Sequence, residues 1–372
     1  MNRSIPLLLS LALLGSLVSK HLEPTQASSH LQEPTQSSSH SLGQAQESSQ
    51  LFPFLQNGKW GYINKIGKIV IPPQFEEASG FPDSISVSVS EAVATSGASA
   101  VATSGTSELA VVKIGGKQGY IDKTGKIVIE PQFRYTLGFS EGRAPVQINR
   151  KWGYIDTAGK MVIEPQFDDN TLPFSNGLAL VAIAGKQGYI DTTGKIVISP
   201  QFEDASQFDS GLAAVQIDGK YGYIDQRGKI VISPRFDSAV RFFDGLAAVK
   251  IGSKWGYIDP TGKIVIEPQF DRNHSFFEGL AVVEISGKNG VIDKMGKIVI
   301  PAQFNGISRF SEGLAIVSIN GKYGFIDRTG KIVISPQFDD TYGFSKGLAG
   351  VWIDDKLGYI DRTGKFVWNL TK

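Results

Sequence analysis

Three residue patterns in this chain could do chemistry. Adjacent carboxylates at Glu76-Glu77, Asp168-Asp169 and Asp339-Asp340 have the pairing of a glycoside hydrolase, where one acid protonates a leaving group and the other attacks or activates water. Single aspartates open Gly-containing turns, as in Asp122-Lys-Thr-Gly125, Asp191-Thr-Thr-Gly194 and Asp327-Arg-Thr-Gly330, and invite a calcium reading. Large aromatics at Trp60, Trp152, Tyr221, Trp255 and Tyr323 each stand immediately before a glycine and could stack on a sugar or anchor a peptide.

Most of this chemistry yields to simpler accounts. The acid pairs recur at one place in a repeat, which argues for turn formation; a hydrolase of the envelope using these carboxylates is the competing reading. Calcium loops need several oxygen ligands within a few residues, whereas here one Asp is followed by Lys, Thr and Gly, as in a capped turn. The same turn lacks the spacing of a phosphate-binding loop, and no helix follows it. His274 is the only histidine beyond His40, so no Ser-His-Asp set can repeat. No catalytic residue, cofactor or metal ligand is assigned.

The pre-glycine position holds Trp60, Gln118, Trp152, Gln187, Tyr221, Trp255, Asn289, Tyr323 and Leu357 in turn. A core position tolerates Gln and Asn badly, so these side chains are expected to be partly exposed. Trp60, Trp152, Tyr221, Trp255 and Tyr323 are therefore the candidate ligand contacts; the alternative is that they merely cover neighbouring strands. One residue earlier, every unit has a lysine, from Lys59 to Lys356. Stacked units would set these charges in rows, which requires interleaved carboxylates or an anionic polymer. Interleaving is expected, because 37 basic residues are balanced by 36 acidic ones. That balance also removes any global field that would draw the chain to nucleic acid.

The elements that carry these residues repeat. The glycines are Gly61, Gly119, Gly153, Gly188, Gly222, Gly256, Gly290, Gly324 and Gly358, spaced by 34 residues with one step of 35 and a first step of 58. A period of this size marks one supersecondary unit stacked on copies of itself. Each unit has three short β-prone runs, A, B and C, exemplified by GLAAVQI (211–217), KYGYID (220–225) and KIVI (229–232). Asn57-Gly58, Gly115-Gly116, Asp218-Gly219 and Asn320-Gly321 suit a two-residue hairpin turn between A and B. The Asp-x-x-Gly stretch suits a bulged three-residue loop between B and C. After C, proline ends the ladder, and a link carries recurring phenylalanines such as Phe167 and Phe174, expected to be core plugs. The long first step is a low-complexity insertion at 84–107.

Lys-Trp-Gly-Tyr-Ile-Asp, Thr-Gly-Lys-Ile-Val-Ile, Pro-Gln-Phe and Glu-Gly-Leu-Ala in this order resemble the WG (KWG) repeat of bacterial proteins, over 51–372. Trp is replaced in Gln118, Gln187, Asn289 and Leu357, and Tyr by Val291. The resemblance implies a binding or scaffolding array without a general enzymatic activity.

Ahead of the array, Arg3 precedes an apolar run from Ile5 to Val18, too short to span a bilayer and suited to a signal peptide, 1–27, with Thr25-Gln26-Ala27 as the cleavage site or with the run kept as an anchor. Residues 28–50 read as a Ser/Gln/Pro-rich disordered tether. The chain has no cysteine, so packing alone must hold it. The expected protein is all-β, a tandem array of about nine three-stranded antiparallel units in an open, curved solenoid, with a closed propeller-like ring as the alternative. Its expected role is an exported, non-catalytic scaffold for an envelope protein, peptide or glycan; a purely structural spacer is a further alternative.

Overall fold

The computed structural model describes residues 50–82, 108–169 and 171–371, all within the unit Gly43–Lys372. The expectations for 1–27, for the tether apart from Gln50, and for the insertion at 84–107 lie outside the described residues. Among those residues every regular element is a β-strand, 33 in all, arranged in nine antiparallel sheets.

One unit shows how the sequence makes a sheet. Strand A (Leu212–Ile217) pairs with B (Lys220–Asp225) in full register from Leu212↔Asp225 to Ile217↔Lys220. The turn between them places Asp218 at φ 49° and Gly219 at φ 74°, as a two-residue primed turn requires. At the other end of B, Gly228 N–H donates to Asp225 O at 2.9 Å, and Asp225 Oδ1 accepts from the amides of Arg227 and Lys229. The turn aspartate is thus an internal cap. C (Ile230–Phe236) lies at the solvent edge, with Ile230 47% and Val231 46% exposed.

The repeated glycine of B is fixed by close approach. A Cβ on Gly222 would sit 2.4 Å from Ile232 O and 2.7 Å from Pro234 N, far inside van der Waals contact. Strand C bulges here: Tyr221 pairs with Phe236 and Tyr223 with Ile232, so three residues of C oppose one of B. The same crossing occurs at Gly61, Gly119, Gly153, Gly188, Gly256, Gly290 and Gly324, where the nearest atom is an isoleucine carbonyl oxygen at 2.5–2.7 Å. Beside it the tyrosine of B is buried, its ring tilted on a link phenylalanine and its hydroxyl donating to a link carbonyl. Tyr223 lies 4.9 Å from Phe242 and 2.8 Å from Val240 O; Tyr154 repeats this with Phe174 and Leu172 O. The link phenylalanines are core, as their recurrence implies.

The link does more than the three-strand reading allowed. In six sheets it supplies a fourth strand to the next unit, as Ser238–Ala239 does by pairing with Lys250 and Val249. In the sheet of Leu212–Ile217 a single bridge, Ala205↔Val215, takes that place. A second primed turn follows, with Asp244 at φ 52° and Gly245 at φ 84° between Phe243 and Leu246. Its signature was present in Asp244-Gly245, Asn176-Gly177 and Glu141-Gly142, but the strand ahead of it, as at Ser238–Ala239, is only two residues long.

The nine sheets close into a nine-bladed propeller, which corrects the expected open solenoid and matches the alternative of a closed ring. Each turn glycine packs on the preceding blade, Gly125 on Ile71 and Gly262 on Ile232. In the first blade, Gly67 makes this contact with Val367 of the last strand. In the last blade Tyr359 donates to Pro53 O of the first at 2.6 Å, and Thr371 Oγ1 donates to Leu55 O at 2.6 Å. Phe54 lies 4.9 Å from Trp368, and one buried cluster joins Leu51, Phe52 and Trp60 to Leu348, Leu357 and Tyr359. Three strands per unit and a count above eight would suit an open array, but in six sheets the link supplies a fourth strand, and nine blades complete the ring.

Gly222→Ala is expected to lower stability by about 1–3 kcal/mol, since the methyl meets backbone rather than a yielding side chain. A denaturant midpoint equal to that of the native chain would refute the close-approach account. Trp368→Ala should loosen the seam selectively, giving earlier proteolysis next to Leu51–Gln56 than at any interior blade boundary; uniform cleavage would mean that the seam is not the ring's closing contact.

Candidate functional site

The pre-glycine residues occupy the second position of strand B, beside the A–B turn and opposite the phenylalanine that ends C: Trp152↔Phe167, Tyr221↔Phe236, Trp255↔Phe270, Tyr323↔Phe338 and Trp60↔Phe75. Identical register in successive blades puts all five on the same face of the ring, the one bearing the A–B hairpin turns. Trp152, Tyr221, Trp255 and Tyr323 are half-buried, each with one side against the core cluster that joins its blade to the next. Trp60 differs: only 7% exposed, it belongs to the seam cluster with Leu357. Gln118 and Asn289 are also half-buried, while Gln187 is buried at 7%. Partial exposure therefore holds for six of the nine positions, Trp60, Gln187 and Leu357 being the buried three.

Polar atoms on these side chains reach the links. Trp152 Nε1 donates to Asp169 Oδ1 at 3.1 Å, which also accepts from Gln147 Nε2. Tyr221 donates to Asp204 Oδ2 at 2.7 Å. Gln118 Oε1 accepts from the Thr136 amide at 2.8 Å, and Asn289 donates to Asn305 O at 3.0 Å. In these four blades the side chain fastens strand B to a link, which an amide does as well as an indole. Tryptophan and tyrosine add an apolar side open to solvent.

Around them lies a regular charge lattice. Lys151 pairs with Asp168, Lys220 with Asp237 and Lys254 with Asp271, each at 2.5 Å, and Lys322 pairs with Asp339. The second carboxylate oxygen accepts from a backbone amide in the next blade's A–B turn: Ala184, Gly252, Ser286 or Asp354, at 2.7–2.9 Å. Glu76 takes both amides of the Gly115-Gly116 turn. Interleaving with carboxylates is thus present at four of the lysine positions. The lysine first, and the turn amide after it, hold Asp168, Asp237, Asp271 and Asp339 below the ordinary carboxylate range. The adjacent acids of the Asp168-Asp169 pair are both engaged in these contacts, and Asp340 accepts from the Thr341 amide. In the B–C turns, Asp122 Oδ1 takes three donors, the Thr124 amide, the Thr124 hydroxyl and the Lys126 amide. His274 is exposed in its link, and its carbonyl accepts from Tyr257.

The carboxylate bridge from one blade to the next turn went unread in the sequence, although its signal was there. An acid follows Pro-Gln-Phe or Pro-Arg-Phe at Glu76, Asp168, Glu203, Asp237, Asp271 and Asp339. What the face offers chemically is recognition: half-buried aromatic sides framed by neutralised ion pairs and saturated turns.

A family model described as a WG containing repeat matches residues 60–86, 119–152, 152–186, 188–221, 221–255, 255–288, 290–323 and 323–356. No curated protein matches the sequence. Among solved structures, a eukaryotic initiation factor is similar over 87% of this chain and 98% of its own, at 12% identity and a TM-score of 0.59. This likeness is one of fold. The dihydro-heme d1 dehydrogenase NirN, in complex with DHE, covers 87% of this chain and 73% of its own at 12% identity, with a TM-score of 0.45.

Because folding depresses the pKa of Asp237, its pairing adds stability at pH values above the unfolded value of about 4. That contribution disappears as pH falls through the depressed folded value. Asp237→Asn should thus be less stable than the native chain at neutral pH and low salt, with the gap closing in acid and narrowing in high salt. A gap unchanged by pH would assign the loss to something other than the ion pair.

Proposed function

We propose, from the premise that this chain belongs to the WG-repeat family, that it is a non-catalytic scaffold binding a protein, peptide or glycan partner through the hairpin face. The observation carrying this reading is the repeated half-buried aromatic side at Trp152, Tyr221, Trp255 and Tyr323, set at one register position in four blades. Rigid, partly desolvated Trp and Tyr are the side chains that concentrate binding energy, and stacked copies make an extended contact that no single blade could supply. Trp60, held in the seam, contributes mainly to closure. Nearby carboxylates are committed to lysines, turn amides and indole or amide donors, which supports a binding role over a hydrolytic one.

The apolar run Ile5–Val18 behind Arg3 supports export and a place at the cell envelope. No helix among the described residues is long and apolar enough to cross a membrane. The nearly equal numbers of acidic and basic residues, with lysines paired on this face, support a partner other than nucleic acid.

Trp152→Gln with Trp255→Gln tests the reading, since glutamine already serves at two equivalent positions. The double variant should keep its far-ultraviolet spectrum and melting temperature. It should lose about 1–3 kcal/mol in affinity for a partner captured by the native chain from envelope extracts. Full affinity in a folded double variant would move the site elsewhere.

A further inference from the structure

In six blades the link lies beside strand A on the side away from B and C, and equivalent link positions touch from one blade to the next. Ser140 Oγ donates to Phe174 O, Ser175 Oγ to Phe208 O and Ser311 Oγ to Phe344 O. Gln207 Nε2 donates to Pro173 O at 3.0 Å, and Arg241 donates to Gln207 Oε1 at 3.0 Å, each reaching its counterpart 34 residues away. In a ring, equivalent positions come this close only near the axis, so the links form the inner rim.

One sector of that rim departs from the repeat. The residue before the link phenylalanine is Gly80, Gly138, Pro173, Gln207, Arg241, Ser275, Arg309 and Gly343 in order, so its only charges are two arginines, two blades apart. The residue after that phenylalanine is Ser140, Ser175, Ser311 or Ser345 in four links, but Phe243 and Phe277 between them, where the serine-to-carbonyl chain is given up. Arg241 stacks its guanidinium over Phe243 at 4.3 Å, and Arg309 stacks over Phe277 at 5.3 Å. Phe277 is 37% exposed. Among the described residues, neither arginine has a carboxylate at ion-pair distance. Burial first, and then the charge of Arg309, push Arg241 below its usual value, while Asp209 acts in the opposite sense. The charge of Arg309 reaches Arg241 from two blades away, and each guanidinium is flattened on a ring that fixes its plane, leaving forked donors beyond the one that Arg241 gives to Gln207.

We infer that Arg241 and Arg309, seated on Phe243 and Phe277 at the inner rim, form a binding site for an oxyanion, the carboxylate or phosphate group of a ligand. This site is independent of the aromatic positions on the hairpin face. Gln207 holds Arg241 from behind, and Asp209 tempers the site's charge.

Titration calorimetry of the full chain at low salt, with inorganic phosphate and separately with a tri-glutamate peptide, tests the assignment. Binding of either probe, weakened at least tenfold in Arg309→Gln and Arg241→Gln and strengthened in Asp209→Asn, would support it; phosphate alone would indicate a phosphoryl ligand, and the peptide alone an acidic segment. Arg309→Gln is the decisive variant, because its exposed side chain makes only the ring contact, so the fold should persist, as its melting temperature would show. Absence of binding by both probes, or binding unaffected in folded Arg309→Gln, would overturn the proposal.

Discussion

The whole ring depends on one steric fact, the passage of strand C directly over the glycine of strand B. With the Ile232 carbonyl oxygen 2.4 Å from where a Cβ would be, no other residue fits without moving backbone. The bulge that this crossing forces redirects the chain at Ser233-Pro234-Arg235. It brings Phe236 back opposite Tyr221 and launches the link toward the next blade. Proline suits this place because the bulge takes C out of the ladder and the missing amide goes unneeded.

From that crossing follows the handover between blades. The link lays a short strand on the next sheet, seats Phe242 on Tyr223, and offers Val240 O to the tyrosine hydroxyl. It also carries Asp237, whose two oxygens hold Lys220 of its own blade and the Gly252 amide of the next. This boundary is thus tied by an aromatic plug, a part-buried hydrogen bond and an exposed charge bridge. The plug carries most of the energy, because surface pairs contribute little in water. At the seam the same parts recur with substitutes: Pro53 O for the link carbonyl and Val367 for the isoleucine under the turn glycine. Among the described residues, closure is by side-chain packing and side-chain hydrogen bonds rather than by a shared strand.

Repetition also separates structure from specificity. Where nine units keep the same residue, the fold explains it. The variable positions are those the fold leaves open: the residue before the glycine, which needs only to reach a link, and the inner-rim residues around the link phenylalanine. Aromatic sides gather at the first, and the arginine–phenylalanine pairs at the second.

Much of this was legible in residue order. The 34-residue period, the two hairpins of each unit and the core role of the link phenylalanines follow from local rules, since positive φ selects Gly, Asn or Asp and alternation selects strands. The interleaving of Lys220 with an acid followed from charge balance. Closure did not, because it depends on a rotation per unit that accumulates over nine blades, and no single unit encodes its end point. The fourth strand was hidden for a related reason: Ser238–Ala239 is too short to show a period and becomes a strand only when Lys250 and Val249 of the following blade lie beside it. Likewise Trp60 and Trp152 are the same residue in the same local sequence. Only the ring, by placing one at the seam and the other at an interior boundary, made the first core and left the second half open to solvent.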